Sequence, residues 1–159
     1  SVKGYDVLKE IGKEILEKRD DVTFLIGGTG ELPPLDHKRW IEIGRCNPSE
    51  VLKISDAFIL PNKQTYFDLI LLETLSMGVP VFASKTGGNK TVSAQTGCIT
   101  LYSNKEDLVQ KIINFLDLPN NDKIKIRDKI FKAFNSNYTQ EIFAENYNKL
   151  IQKILNQHK

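Results

Sequence analysis

An acid inside an apolar run is the first residue of this sequence that could do chemistry. In PNKQTYFDLILLETLSMGVPVFASKTGG, residues 61–88, the stretch from Phe67 to Met77 reads as a nearly continuous apolar helix, with Glu73 well inside it. Glutamate is seldom left in apolar surroundings without a partner. A carboxylate accepts two hydroxyl hydrogen bonds at once, so the vicinal hydroxyls of a ribose are a natural match. A partly exposed helix glutamate is the plain alternative, and the pattern alone supports the two equally.

Small, hydroxyl and amide residues gather in three nearby segments. GGTGE follows Ile26, PNKQTYFD follows Leu60, and SKTGGNK follows Ala83. Glycine lets a backbone come close to a ligand and present its N–H groups. A helix starting directly after such a loop offers unpaired N–H groups and a positive dipole end to an anion. Two of these loops, at 65–68 and 86–89, lead into helices. Any one of them reads as a turn; the three together at one edge of a sheet read as a pocket for a phosphorylated ligand.

The flanking pattern places them at such an edge. Residues 5–19 carry Val7, Leu8, Ile11, Ile15 and Leu16 on one helical face. Strands are expected at 22–28, 39–45, 57–61, 79–84 and 97–102, and helices at 47–55, 67–77, 105–116, 122–134 and 139–156. Helix and strand alternate, and the strands are short and apolar on both faces. That pattern predicts an α/β fold with a doubly wound parallel sheet, helices covering both sides. Parallel strands put all their carboxyl ends along one edge, where such folds bind ligands.

Composition narrows the function. The 159 residues suit one domain, with 40% hydrophobic and 26% charged residues. A net charge of +2, with scattered lysines and no basic block, is too weak to imply a nucleic-acid partner, and none is expected. No apolar run reaches membrane-spanning length. Cys46 and Cys98 lack metal-ligand spacing and read as free thiols of a reducing compartment. His37 and His158 form no metal cluster and read as surface residues.

GGTGE, EIGRCNPSEVLKISDAFILPN and YFDLILLETLSMGVPVFASKTGG together resemble the carboxyl-terminal domain of retaining GT-B glycosyltransferases, the family of glycogen and sucrose synthases. The opening KGYDVLKEI and the closing NYTQEIFAENYNKLIQKI are similar to the two ends of that domain, so the resemblance covers almost the whole chain. It implies a Rossmann-like donor-binding half of a GT-B fold, whose partner is a nucleotide diphosphate sugar. Glu73 matches the glutamate that binds the donor ribose, and Lys3 a lysine that neutralises the diphosphate. The backbone at Asp68 and Leu69 matches the amides that meet phosphate. Gly27, Gly28 and Gly30 match the glycine loop lining the donor cleft, and Gly87 and Gly88 a glycine pair near the bound nucleotide or sugar. The implied chemistry is sugar transfer to an acceptor hydroxyl in polysaccharide or glycolipid synthesis, without metal or cofactor. The implied place is the cytoplasm, with the inner face of a membrane left open.

Three departures stand out. Thr65 occupies the place of an acid that contacts the donor sugar, and Asp68 stands where glycine is usual. The family's phosphate-binding arginine and its first, central strand lie upstream of the lysine, before Ser1. We therefore expect residues 1–159 to be a single domain of a longer two-domain enzyme, inactive without its acceptor domain. A gap is expected in the sheet between strands 22–27 and 57–60. Thr65 also keeps open a non-catalytic GT-B-like module that stabilises a partner glycosyltransferase. Another nucleotide-sugar enzyme on this architecture, such as an epimerase, is a third reading. Trp40 is expected in the core, Arg45, Lys85 and Lys90 in solvent, and Tyr66 and Phe67 packed at a helix entry. The last helix, with Ile142, Phe143, Tyr147, Leu150, Ile151 and Leu155, is expected to pack on its own domain.

Overall fold

The structure, a computed structural model, describes residues 2–157. Its elements in chain order are α1 (Tyr5–Lys18), β1 (Phe24–Gly27), β2 (Trp40–Gly44), α2 (Pro48–Lys53), β3 (Phe58–Leu60), α3 (Leu69–Ser76), β4 (Val81–Ser84), α4 (Gly87–Thr96), β5 (Ile99–Tyr102), α5 (Lys105–Leu116), α6 (Asn120–Asn137) and α7 (Gln140–Gln157). Every strand pair is parallel. Helices cover both faces, and β4 shows why. Phe82 joins a core with α1 and α5, while Val81 and Ala83 point the other way, into a core with α3, α4 and α6. Period-two alternation along one buried strand thus builds both layers.

The α1 face is fixed by shape. Ile11, Ile15 and Leu16 are buried, and Gly12 lies where a Cβ would meet the Trp40 ring at 2.3 Å. A glycine inside a helix costs about 1 kcal/mol of propensity, and here it admits the indole. Trp40 stacks on Phe24 with ring centroids 5.3 Å apart, so its expected core role holds. Arg39 closes the end of α1. Its guanidinium donates to the carbonyls of Leu16, Arg19 and Val22 at 2.6–2.8 Å.

The strands fall into two groups, β2-β1 and β3-β4-β5. Between β1 and β3 there is no pairing among the described residues, which is the gap expected from the sequence. The two groups still share one core, because Phe24 of β1 and Phe82 of β4 belong to the same cluster, with Ile59 of β3 packed against it.

Several expectations are corrected. The β2 strand is an edge, and Ile41 and Ile43 are exposed rather than covered. Helix α3 starts at Leu69, not Phe67, because Asp68 is extended at φ −103° and serves as its N-cap residue. Tyr66 is 93% exposed and packs nothing under the helix entry, while Phe67 is partly exposed and lies against Gly88. His37 is half-buried, its Nδ1 accepting from the Arg39 N–H. His158 lies outside the described residues. Helix α7 buries no residue: Phe143, Tyr147, Leu150, Ile151 and Leu155 are exposed, because no element of the described residues covers their face. Cys46 and Cys98 are free, as expected. No helix of the described residues is long and apolar enough to cross a membrane.

Candidate functional site

The loop after β1 and the end of β3 line one cavity, and the loop after β4 packs on the loop after β3. The loop after β1 opens a cavity of about 710 Å³. Gly27, Gly28 and Gly30 line it together with Lys3, Tyr5, Glu42 and Pro61. Gly28 has φ 114°, a conformation that only glycine adopts readily, and no atom approaches its missing Cβ. The glycine loop is therefore bent and open toward the cavity. Glu42 accepts hydrogen bonds from the Tyr5 hydroxyl and, at 3.0 Å, from the Trp40 indole. Burial and the bond to Glu42 push the Tyr5 phenol up to about 12. Sequence reading missed both Tyr5 and Glu42; their alternating positions beside core residues gave no local signal.

A second cluster joins three of the expected residues. Lys3 donates to Asp68 at 2.6 Å, Thr65 donates to it at 2.7 Å, and the Asn62 amide donates as well. The Asp68 side chain is 10% exposed, whereas that of Lys3 is 70% exposed. Burial raises the Asp68 pKa, but the bonds from Lys3, Thr65 and Asn62 together outweigh it and hold the carboxyl below its ordinary value. Asp68 does not turn back to cap its own helix. The first-turn amides of α3, beginning at Leu69, are left without a side-chain cap.

The loop after β4 packs on the loop after β3. A Cβ on Gly87 would sit 2.0 Å from the Thr65 carbonyl oxygen, and Gly88 N–H donates to Tyr66 O at 2.7 Å. These glycines allow one backbone to touch another. Beneath them, Ser84 donates to Asn62 O at 2.6 Å and Asn89 donates to Ser84 O at 3.1 Å. Asn62, Ser84 and Asn89 are the buried polar floor of the site, and sequence reading did not single them out.

Glu73 stands apart. It lies on the exposed side of α3 and is not among the residues lining the cavity. Among the described residues nothing hydrogen-bonds its carboxylate. Arg45, Lys85 and Lys90 are exposed, as expected. The arrangement thus offers a bent glycine loop, an uncapped helix start and a lysine at one sheet edge, a combination suited to an anionic ligand.

Comparison with known proteins agrees with this geometry. The profile of the family described as glycosyl transferases group 1 matches residues 1–118. A sucrose synthase of Denitrovibrio acetiphilus is 26% identical over 140 residues, covering 81% of this chain and 18% of that protein. Among solved structures, a sucrose-phosphate synthase of Thermosynechococcus elongatus superposes with a TM-score of 0.75 at 15% identity, covering 98% of this chain and 43% of that one. The N-terminal domain of Candida albicans trehalose-6-phosphate phosphatase gives 0.71 at 12% identity, covering 96% and 39%. These two likenesses are of fold. The chain spans less than half the length of each of these relatives.

Proposed function

The chain belongs to the group 1 glycosyl transferases, and on that premise we propose that it binds a nucleotide diphosphate sugar and serves as the donor half of an enzyme that passes the sugar to an acceptor hydroxyl. The observation that carries this reading is the meeting of Lys3 with Gly27, Gly28 and Gly30 around one cavity at the carboxyl edge. The diphosphate lies against Lys3 and the amides at Asp68 and Leu69. Positive groups fixed there stabilise the departing nucleotide without a metal. Asp68 keeps its carboxylate turned to Lys3, Thr65 and Asn62, so it does not oppose the diphosphate with a free charge. Gly87 and Gly88 let the loop after β4 close against Thr65, whose hydroxyl meets the donor sugar. Glu73 takes the ribose; its exposed, uncommitted carboxylate leaves it available. The acceptor site belongs to a second domain, and residues 1–159 alone do not turn over substrate. The product serves polysaccharide or glycolipid synthesis, in the cytoplasm or at the inner face of a membrane.

A second reading has one observation in its favour. The Lys3 ammonium is already paired with Asp68, which lessens its pull on a diphosphate and suits a non-catalytic module that steadies a partner glycosyltransferase. Calorimetric titration of UDP, GDP and ADP separates the two. One nucleotide binds, and Glu73→Ala weakens it about tenfold, the loss of one charge-assisted bond of about 1.4 kcal/mol. An unchanged affinity in that variant overturns the role of Glu73. A stable complex with a partner glycosyltransferase, formed while none of the three nucleotides binds, favours the module.

A further inference from the structure

We propose that Glu42 reads the base of the bound nucleotide, and that this base is guanine. The inference rests on the donor-binding reading and names the donor within it, a guanosine diphosphate sugar.

Strand periodicity sets the position of Glu42. Trp40 is buried in the core that α1 shares, and a residue two further along a strand takes the same face. Glu42 therefore belongs to the core side of β2, yet it is a carboxylate and it is exposed. It opens on the cavity, whose wall it forms with the glycine loop, Lys3 and Tyr5. A charge on such a face is costly unless it has partners. Two donors converge on it, the Tyr5 hydroxyl and, at 3.0 Å, the Trp40 indole N–H. Both end on the same oxygen, Oε1. A carboxylate has about four acceptor sites on its two oxygens, and Oε2 has no hydrogen-bond partner among the described residues.

The place of Glu42 relative to Lys3 suits a base. Lys3 is tied to the β3 side of the cavity: its ammonium donates to Asp68 before α3, and the adjacent Gly4 lies against Pro61. Glu42 belongs to the separate β1-β2 pair. The two charged groups thus stand on the two strand groups that wall the cavity. A nucleotide whose diphosphate meets Lys3 presents its base, the part farthest from the phosphates, to the other wall. Leu8, Ile26 and Pro61 supply apolar surface for the faces of a planar ring.

The chemistry of Oε2 then selects among bases. An ionised carboxylate only accepts hydrogen bonds, so it needs a base edge that donates. Guanine offers two neighbouring donors, N1–H and the N2 amino group. Uracil offers one, N3–H, set between two carbonyl oxygens that a carboxylate repels. Adenine carries its amino group beside a ring nitrogen that accepts. Of the three, guanine is the base that gives Oε2 more than one donor without an acceptor between them. The carboxylate is held in this orientation. The Trp40 N–H can only donate, and so it pins Oε1. Tyr5 stays protonated and donating, because burial and the bond to Glu42 push its phenol up to about 12. Glu31 is the other carboxylate of the wall, on the glycine loop, and no hydrogen bond among the described residues fixes it.

Calorimetric titration of the 159-residue chain with GDP, inosine diphosphate, xanthosine diphosphate, UDP and ADP tests the proposal. GDP binds tightest, and about tenfold more tightly than inosine diphosphate, which lacks only the N2 amino group. That comparison needs no variant. Glu42→Gln then assigns the contact. Its amide oxygen must face the Trp40 N–H, which puts the amide NH2 where Oε2 stood. The variant, shown to be folded by circular dichroism, loses the preference for GDP over inosine diphosphate. It binds xanthosine diphosphate, which has a carbonyl at C2, about tenfold more tightly than GDP. Five results overturn the proposal. In the first, the unaltered chain binds inosine diphosphate as tightly as GDP. In the second, UDP or ADP binds as tightly as GDP, which leaves the donor reading standing with another base. In the third, Glu42→Gln weakens GDP and inosine diphosphate equally, which puts Oε2 on the ribose. In the fourth, the preference for GDP over inosine diphosphate disappears in Glu31→Gln and persists in Glu42→Gln. In the fifth, no nucleotide binds, and the complex with a partner glycosyltransferase then decides the donor reading separately.

Discussion

Replacing Asp68 with alanine tests the electrostatic reasoning most directly. The carboxylate accepts from Lys3, Thr65 and Asn62. The Lys3 partner is 70% exposed, so its share is small, about 0.5 kcal/mol after solvent screening. The Thr65 bond to a charged acceptor contributes about 1.5 kcal/mol. Asn62 is 2% exposed, and leaving its amide unpaired costs about 1 kcal/mol or more. Asp68→Ala therefore loses about 3 kcal/mol, and for a chain of this size the melting temperature falls by about 6 to 12 °C. Urea denaturation at pH 7 should show a lower midpoint with an unchanged slope. The pH dependence supplies the sign. The Asp68 pKa is lowered by folding, so its contribution is complete above the unfolded carboxyl value of about 3.9 and is lost as pH falls through the lower folded value. The difference between the native chain and the variant must narrow below about pH 4. A loss under about 0.5 kcal/mol at pH 7, or a difference that does not change with acid, refutes the reasoning.

Two further outcomes follow from packing. Gly87→Ala places a Cβ 2.0 Å from the Thr65 carbonyl oxygen at φ 40°; the loops after β3 and β4 separate, and thermal unfolding shows a loss of about 2 kcal/mol or more. Trp40→Ala empties the space between Gly12 and Phe24, and chemical denaturation followed by circular dichroism shows a loss of about 3 to 5 kcal/mol.

Much of the fold was legible because local pattern and packing coincide. The α1 stripe of Ile11, Ile15 and Leu16 is the buried face, and the short apolar strands are the sheet. Helix α4 was legible only at its start, since GGNKTVSAQT buries little beyond Gly88, Asn89 and Val92 and has no apolar stripe. Helix α7 shows the converse. Its apolar stripe is plain in the sequence, but a stripe states that a face is apolar, not what covers it. The loops after β1, β3 and β4 were identified from their residue types. The contact of Asp68 with Lys3 was not, because the two are 65 residues apart and nothing local records the pairing. For Glu73, an apolar window around an acid does not say which side of the helix the acid occupies.

Arg39 sets an order on how the chain can assemble. The carbonyls it binds lie 17 to 23 residues upstream. The last turn of α1 and the bend into β1 therefore stay unfinished until β2 arrives. A short helix alone is marginal in water, and the carbonyls at the end of α1 take their donor from outside its own segment. Arg39 thus ties helix, bend and the start of β2 into one hydrogen-bonded unit. A fragment ending before residue 39 would carry the sequence of α1 without the means to hold its end.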